Sequence, residues 1–197
     1  MLKNLRIITF LVSINAIADY QITVLATNIS NYGGFGEWSF SALYESEKES
    51  ILFDTGFHED TVLHNATILG KDLSRVNKVV LSHFHSDHTG GLIKLRKTYK
   101  ELNENAFSEV YVARGFFDQR FYKDGSKEGP GNFKDSSRFR RVAEEEGIKF
   151  IILDEHKMIS ENLYATGTVE RTVESYNGPL GYYLDDQLTI PDLIKDD

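Results

Sequence analysis

KVVLSHFHSDHTGGL, residues 78–92, is the stretch on which the reading of this chain turns. It holds three of the chain's six histidines, His83, His85 and His88, with Asp87 among them. Residues 78–81 are a short apolar run and read as a buried strand. Residues two apart at the end of an extended strand point the same way, so His83 and His85 can converge on one point. Asp87 and His88 come at the turn into the next segment and can face a second point nearby. Gly90 and Gly91 are expected to remove side-chain bulk and to relax the backbone where it turns. Leu92, Leu95 and Tyr99 then have the spacing of the buried face of a helix.

Imidazole and carboxylate groups gathered this closely suit a metal ion. The chain has no cysteine, so disulfides, thiolate ligands and thiol nucleophiles are excluded together. A nitrogen and oxygen donor set fits Zn2+ first, with Fe or Mn as the other candidates. Such an ion lowers the pKa of a bound water from 15.7 toward about 7 and polarises the oxygen of a carbonyl or phosphoryl group under attack. Asp87 is the candidate catalytic residue, able to orient that water or carry its proton. Catalytic zinc usually takes three protein ligands plus water. Four ligands facing two points therefore leave ligands to be found elsewhere.

The flanks organise around this centre. Residues 20–28, 38–45 and 51–53 read as three successive strands, a meander forming one layer. A helix follows with Asp60 as its cap, Val62, Leu63, Ala66 and Leu69 as its apolar face, and Gly70 at its C-terminal stop. Residues 109–113, 150–153 and 162–168 read as further strands, and 137–146 as a helix stopped by Gly147. Residues 123–135, with three glycines and a proline, read as a loop. Alternating strands and helices after the meander indicate a layered α/β or α+β domain, with its site where strands end.

Composition narrows the partners. The 197 residues carry a net charge of -8 and no long basic run, which argues against a nucleic-acid or anionic-membrane binder; the partner expected is a small-molecule substrate. Lys3 and Arg6, the apolar residues 7–14 and the small residues Ala16 and Ala18 follow the order of an export signal. The expectation is a signal peptide over residues 1–18, a single domain over 19–197, and a periplasmic or extracellular protein that leaves the membrane after cleavage. Nothing in the sequence sets the oligomeric state.

H-x-H-x-D-H after a short apolar strand, with FDTG upstream at 53–56, resembles the metallo-β-lactamase superfamily. WSFSALYE (38–45), ILFDTGF (51–57), LHNATILGKDLSRVNKVVLSHFHSDHTGGL (63–92) and LYATGTVERT (163–172) are similar to the branch typified by 7,8-dihydropterin-6-methyl-4-(β-D-ribofuranosyl)-aminobenzene-5'-phosphate synthase. The resemblance implies an αββα sandwich and a hydrolytic centre of one or two metal ions. Through it His83 and His85 would serve a first metal and Asp87 and His88 a second, with Asp54 supporting them from behind. A bare turn-capping role for Asp54 is compatible with that. The activity implied is hydrolysis of an ester, lactone, amide or phosphoester by metal-activated water. The alternatives are a transferase acting on a phosphorylated pterin precursor, and an inactive metal- or ligand-binding relic.

The branch continues into a Gly-Cys-x-His segment and further histidines that this sequence lacks. The expectation is therefore the N-terminal half to two-thirds of the sandwich, either truncated or naturally short. His58, His64, His156, Asp185 and Asp186 are the local candidates for substitute ligands, and a surface or core-edge position is the simpler reading for each. Residues 31–38 (NYGGFGEW) form either a flap whose Tyr32, Phe35 and Trp38 grip a substrate or a loop that its aromatics pin to the core. Asn28 and Asn65 begin glycosylation triplets.

Overall fold

The computed structural model describes residues 20–169, 182–183 and 187. The expected signal peptide, Asp185 and Asp186 lie outside the described residues. The chain opens as the expected meander: β1 (Tyr20–Ala26), β2 (Ser41–Ser46) and β3 (Ser50–Phe53) pair antiparallel. Then come α1 (Thr61–Ile68), a 3-10 turn (Leu73–Arg75), β4 (Val76–Val80), α2 (Ser86–Thr89), α3 (Leu92–Tyr99) and β5 (Glu109–Ala113). β6 (Arg120–Tyr122) and β7 (Lys127–Glu128) precede α4 (Ser136–Glu145) and β8 (Lys149–Leu153). β9 (Lys157–Ser160), β10 (Leu163–Ala165) and β11 (Tyr182–Tyr183) complete the order.

A six-stranded mixed sheet in the order β1-β2-β3-β4-β5-β8 is the frame. β3, β4, β5 and β8 run parallel, joined by helical crossovers. The parallel strands therefore end together, and the loops after β3, β4 and β5 meet at one edge.

One face of the sheet carries the main core. Leu43, Leu52, Val79 and Val110 meet Val62 and Ala66 of α1, Leu92 and Leu95 of α3, and Phe139 and Ala143 of α4. Each large side chain buried this fully contributes roughly 1.5–3 kcal/mol. On the opposite face Ile51, Tyr111 and Leu153 pack with Ile159 and Ala165 of the β9–β10 hairpin. That face also bounds an apolar cavity of about 510 Å³, reached by Tyr44, Phe53 and Val80.

Several local expectations are corrected. β2 begins at Ser41 rather than Trp38, because the backbone of Phe40 bonds elsewhere: its N–H to Asp87 and its carbonyl to Gly56. Leu69, at the C-terminal cap of α1, is 43% exposed, and Asn65 within α1 is buried in its place. Asp60 holds the N-cap position without a side-chain cap bond. The C-terminal stop is as the glycine indicates: Gly70 has φ +66, and the N–H groups of Gly70 and Lys71 return to Thr67 and Ala66. Within residues 123–135, β7 pairs with β6 as a small hairpin that the glycine content concealed.

Candidate metal centre

The cluster stands where β4 ends. β4 lies between β3 and β5, so the loops after those two strands flank it. From His83, His85 and Asp87, one ligand atom each can be chosen so that all lie within 4.8 Å of one another. His83 Nε2 and His85 Nδ1 face each other at 2.8 Å. One proton bridges two nitrogens at that distance, and a cation bound by both would take its place. His88 stands beside the three, its ring 4.2 Å from that of His83 and its Nε2 3.7 Å from Asp87 Oδ2. The structure thus gathers Asp87 with the histidine pair and sets His88 between Asp87 and Asp54. Two imidazoles and a carboxylate at one point are a donor set that fits a divalent ion.

Asp54 organises the cluster from the end of β3. It is fully buried and holds φ +54, a left-handed conformation that aspartate tolerates better than most residues. Its Oδ1 accepts the Ser82 N–H at 2.8 Å, and its Oδ2 accepts the Ser82 hydroxyl at 2.9 Å and His88 Nδ1 at 2.7 Å. A carboxylate only accepts, so the His88 proton sits on Nδ1 and Nε2 keeps its lone pair toward the cluster. Burial pushes the Asp54 carboxyl up, against the bonds from His88 and Ser82 that pull it down. Ser82 Oγ also meets His83 Nδ1 at 2.9 Å, which leaves His83 Nε2 as the available donor atom. Burial, then the neighbouring His88 and His85 and the Arg120 guanidinium, hold His83 down at about 3. His83 is therefore neutral at pH 7, the form in which imidazole binds metal.

The loop after β3 is clasped to this segment through the main chain. The N–H of Thr55 bonds to the carbonyl of His88, and those of Gly90 and Gly91 bond to Gly56 and Thr55. Gly90 and Gly91 have ordinary helical dihedrals (φ -61 and -83), so backbone freedom is not what selects them. A Cβ at Gly90 would fall 1.8 Å from the Phe57 carbonyl oxygen, and one at Gly91 2.4 Å from that of Thr55. Close approach of two backbones is the reason for both glycines.

Among the described residues His58, His64 and His156 join no such cluster. His58 and His156 are exposed. His64 stacks on Phe35 with ring centroids 3.8 Å apart, and its Nε2 bonds to the Gly33 carbonyl. Asn65 takes the N–H and carbonyl of Phe35 and the carbonyl of Leu25. Its amide is thus committed inside the fold, which rules it out as a glycan acceptor in the folded chain. Glu37 accepts from the Ser39 and Thr61 hydroxyls and from the N–H groups of Phe57 and His58, tying the approach to α1 to the 31–38 loop. The 31–38 loop is held by these polar ties, while Tyr32 and Trp38 stand 98% and 79% exposed.

Sequence reasoning missed Ser82 and Arg120. Ser82 was legible as a small polar residue between the apolar strand and His83. Arg120 lies 32 positions beyond His88, and no local pattern ties it to the site.

A family model described as the metallo-beta-lactamase superfamily matches residues 39–157. The chain belongs to that superfamily. Within it, the chain is 32% identical over 100 residues to a 7,8-dihydropterin-6-methyl-4-(beta-D-ribofuranosyl)-aminobenzene-5'-phosphate synthase of Methanocaldococcus jannaschii, covering 48% of this chain and 33% of the relative. It is 35% identical over 72 residues to the uncharacterized protein MJ0448 of the same organism, covering 36% and 28%. Among solved structures it is similar to Tm1679, a metal-dependent hydrolase of the beta-lactamase superfamily, at 27% identity and a TM-score of 0.64. That match covers 89% of this chain and 58% of Tm1679. The matched segments span about a third of the curated relatives.

Proposed function

We propose that the cluster is the centre of a metal-dependent hydrolase acting on an ester, lactone, amide or phosphoester of a small molecule, with zinc as the first candidate ion and iron or manganese behind it. The observation that carries this reading is the meeting of ligand atoms from His83, His85 and Asp87 within 4.8 Å. The ion, once bound, supplies Lewis acidity and a water acidic enough to react at neutral pH. The chain's own residues do the rest. His83 and His85 would hold the ion as neutral imidazoles, and Asp87 would hold it or stand as a proton acceptor beside it. His88 is held in one tautomer by Asp54, which keeps its Nε2 lone pair facing Asp87. Similarity to Tm1679 supports this choice of chemistry.

The test is direct. Zinc, iron and manganese are quantified per chain in the purified protein, beside H83A and H85A, and turnover is followed on a panel of esters, lactones and phosphodiesters. About one ion per chain, with metal and turnover lost in both variants, is the expected result. A parent protein without metal would sink the reading and leave a relic of the fold.

A second reading, a transferase on a phosphorylated pterin precursor, is favoured by the identity to the M. jannaschii synthase. Turnover of such a precursor with none on the ester panel would select it. Export through residues 1–18 belongs to the first reading, and N-terminal sequencing of the protein from its native cell checks it: a start at Met1 would refute it.

A further inference from the structure

We infer that Arg120 is a positioning residue for the metal centre, holding the His83–His85 pair through Phe84. The inference rests on the reading of the cluster as metal ligands. Arg120 is 1% exposed, an uncommon state for a permanent cation and a costly one. Its Nη1 donates to the carbonyls of Gly115, Phe116 and Asp118 at 3.0, 3.3 and 2.9 Å, which fixes the guanidinium within the turn after β5. The guanidinium lies over Phe84, with Cζ 3.9 Å from the ring centroid. Phe84 is the residue between the two histidines. It is fully buried, and its ring centroid lies 4.4 Å from that of His85. Guanidinium, phenyl and imidazole form one chain of contacts that ends on a metal ligand, with the Phe84 and His85 rings tilted at 54° to each other.

The same segment grips the metal loop a second time. The N–H of Gly131 bonds to Thr89 Oγ1 at 2.7 Å, and that hydroxyl donates to the His85 carbonyl at 2.8 Å. The ring of His85 and its carbonyl are thus both set by residues 115–131. The topology explains why this segment is available: β5 runs parallel to β4, so its exit turn comes beside the loop that leaves β4. Partners that orient metal ligands in this way set affinity as well as geometry.

The experiment is a double-mutant cycle on metal binding. Zinc affinity is measured by competition with a chromophoric chelator for the parent protein, R120K, F84L and R120K/F84L. The visible spectrum of each cobalt-loaded protein and the melting curve of each metal-free protein are recorded alongside. Lysine keeps the charge but can neither lie flat on the ring nor offer the fork of donors. R120K and F84L are each expected to weaken zinc binding about 10–100-fold and to alter the cobalt spectrum, with the double variant close to the worse single one. Parent-like affinity and spectrum in R120K, or fully multiplicative losses in the double, would overturn the inference. F84L covers the case in which R120K fails to fold: it removes the ring between Arg120 and His85, and parent-like zinc affinity and cobalt spectrum in it would overturn the inference. A parent protein that binds no zinc refutes the metal reading itself and is told apart by that first measurement.

Discussion

His88 Nδ1 and Asp54 Oδ2 lie 2.7 Å apart across 34 positions of sequence. Asp54 sits at the exit of β3 and His88 in the turn beyond β4, so the contact exists only because the two strands pair in parallel. Replacing Asp54 strips an acceptor from His88 and from both donors of Ser82. D54A is expected to lose about 1–3 kcal/mol for buried donors left unpaired, and 10–100-fold or more in metal affinity. D54N keeps an acceptor and tolerates the positive φ, so it should recover much of the stability and little of the metal affinity. Urea unfolding and chelator competition separate the two. Equal losses of both quantities in D54A and D54N would contradict this division.

Gly90 and Gly70 make opposite predictions from their dihedrals and from their surroundings. Gly70 has φ +66 with open space where a Cβ would go, and Gly90 has φ -61 with the Phe57 carbonyl in the way. G70A is expected to cost about 1–2 kcal/mol, the strain of a left-handed alanine. G90A is expected to cost about 3 kcal/mol or more, since neither backbone can yield without moving the site. Denaturant midpoints of the two variants decide it, and a G90A protein as stable as G70A would be the failing result.

Glu37 ties the 31–38 loop to the start of α1. Burial pushes its carboxyl up, but bonds from Ser39, Phe57, Thr61 and His58 outweigh burial and bring it below the usual value. A carboxylate lowered on folding stabilises the fold above its unfolded pKa of about 4.3 and stops doing so as pH falls through its lower folded value. E37Q should therefore be less stable than the parent by about 1–2 kcal/mol at pH 7, with the difference shrinking as pH drops below about 4. Thermal melts at pH 7, 5, 4 and 3 read this out. A difference that grows toward acid would show that the carboxylate is not the source.

Metal and fold should be linked. An ion that binds only the folded chain at a hundred times its Kd adds about 2.7 kcal/mol, seen as a rise in melting temperature that a chelator reverses. H83A should show no such rise, while H156A, altering an exposed residue apart from the cluster, should respond as the parent does. A zinc-induced shift of equal size in H83A would place the binding elsewhere.

The centre was legible because its residues are adjacent in sequence: the apolar run 78–81, the histidine alternation and the glycine pair each follow local rules. The meander and α4 were legible for the same reason, with period-two and period-3.6 patterns ending in turn residues. What escaped were ties made by single polar side chains at long range. Nothing beside Asn65 marks it for Phe35 and Leu25, and an arginine opening a glycine-rich stretch gives no hint that it will be buried against Phe84. At Gly90 and Gly91 the absence of side-chain bulk was legible and the relaxed backbone is not what the structure uses, since the backbone that excludes a Cβ there is more than thirty positions away.

That exclusion governs how the site tolerates change. The segments 54–57 and 88–91 are joined amide to carbonyl, by bonds that every residue type except proline can make. Phe57, 37% exposed, is the outward side chain of these segments that is free to vary without relocating a ligand. A single inserted or deleted residue is different. It would put the clasp out of step and carry His88 away from Asp54, however well the remaining side chains were preserved.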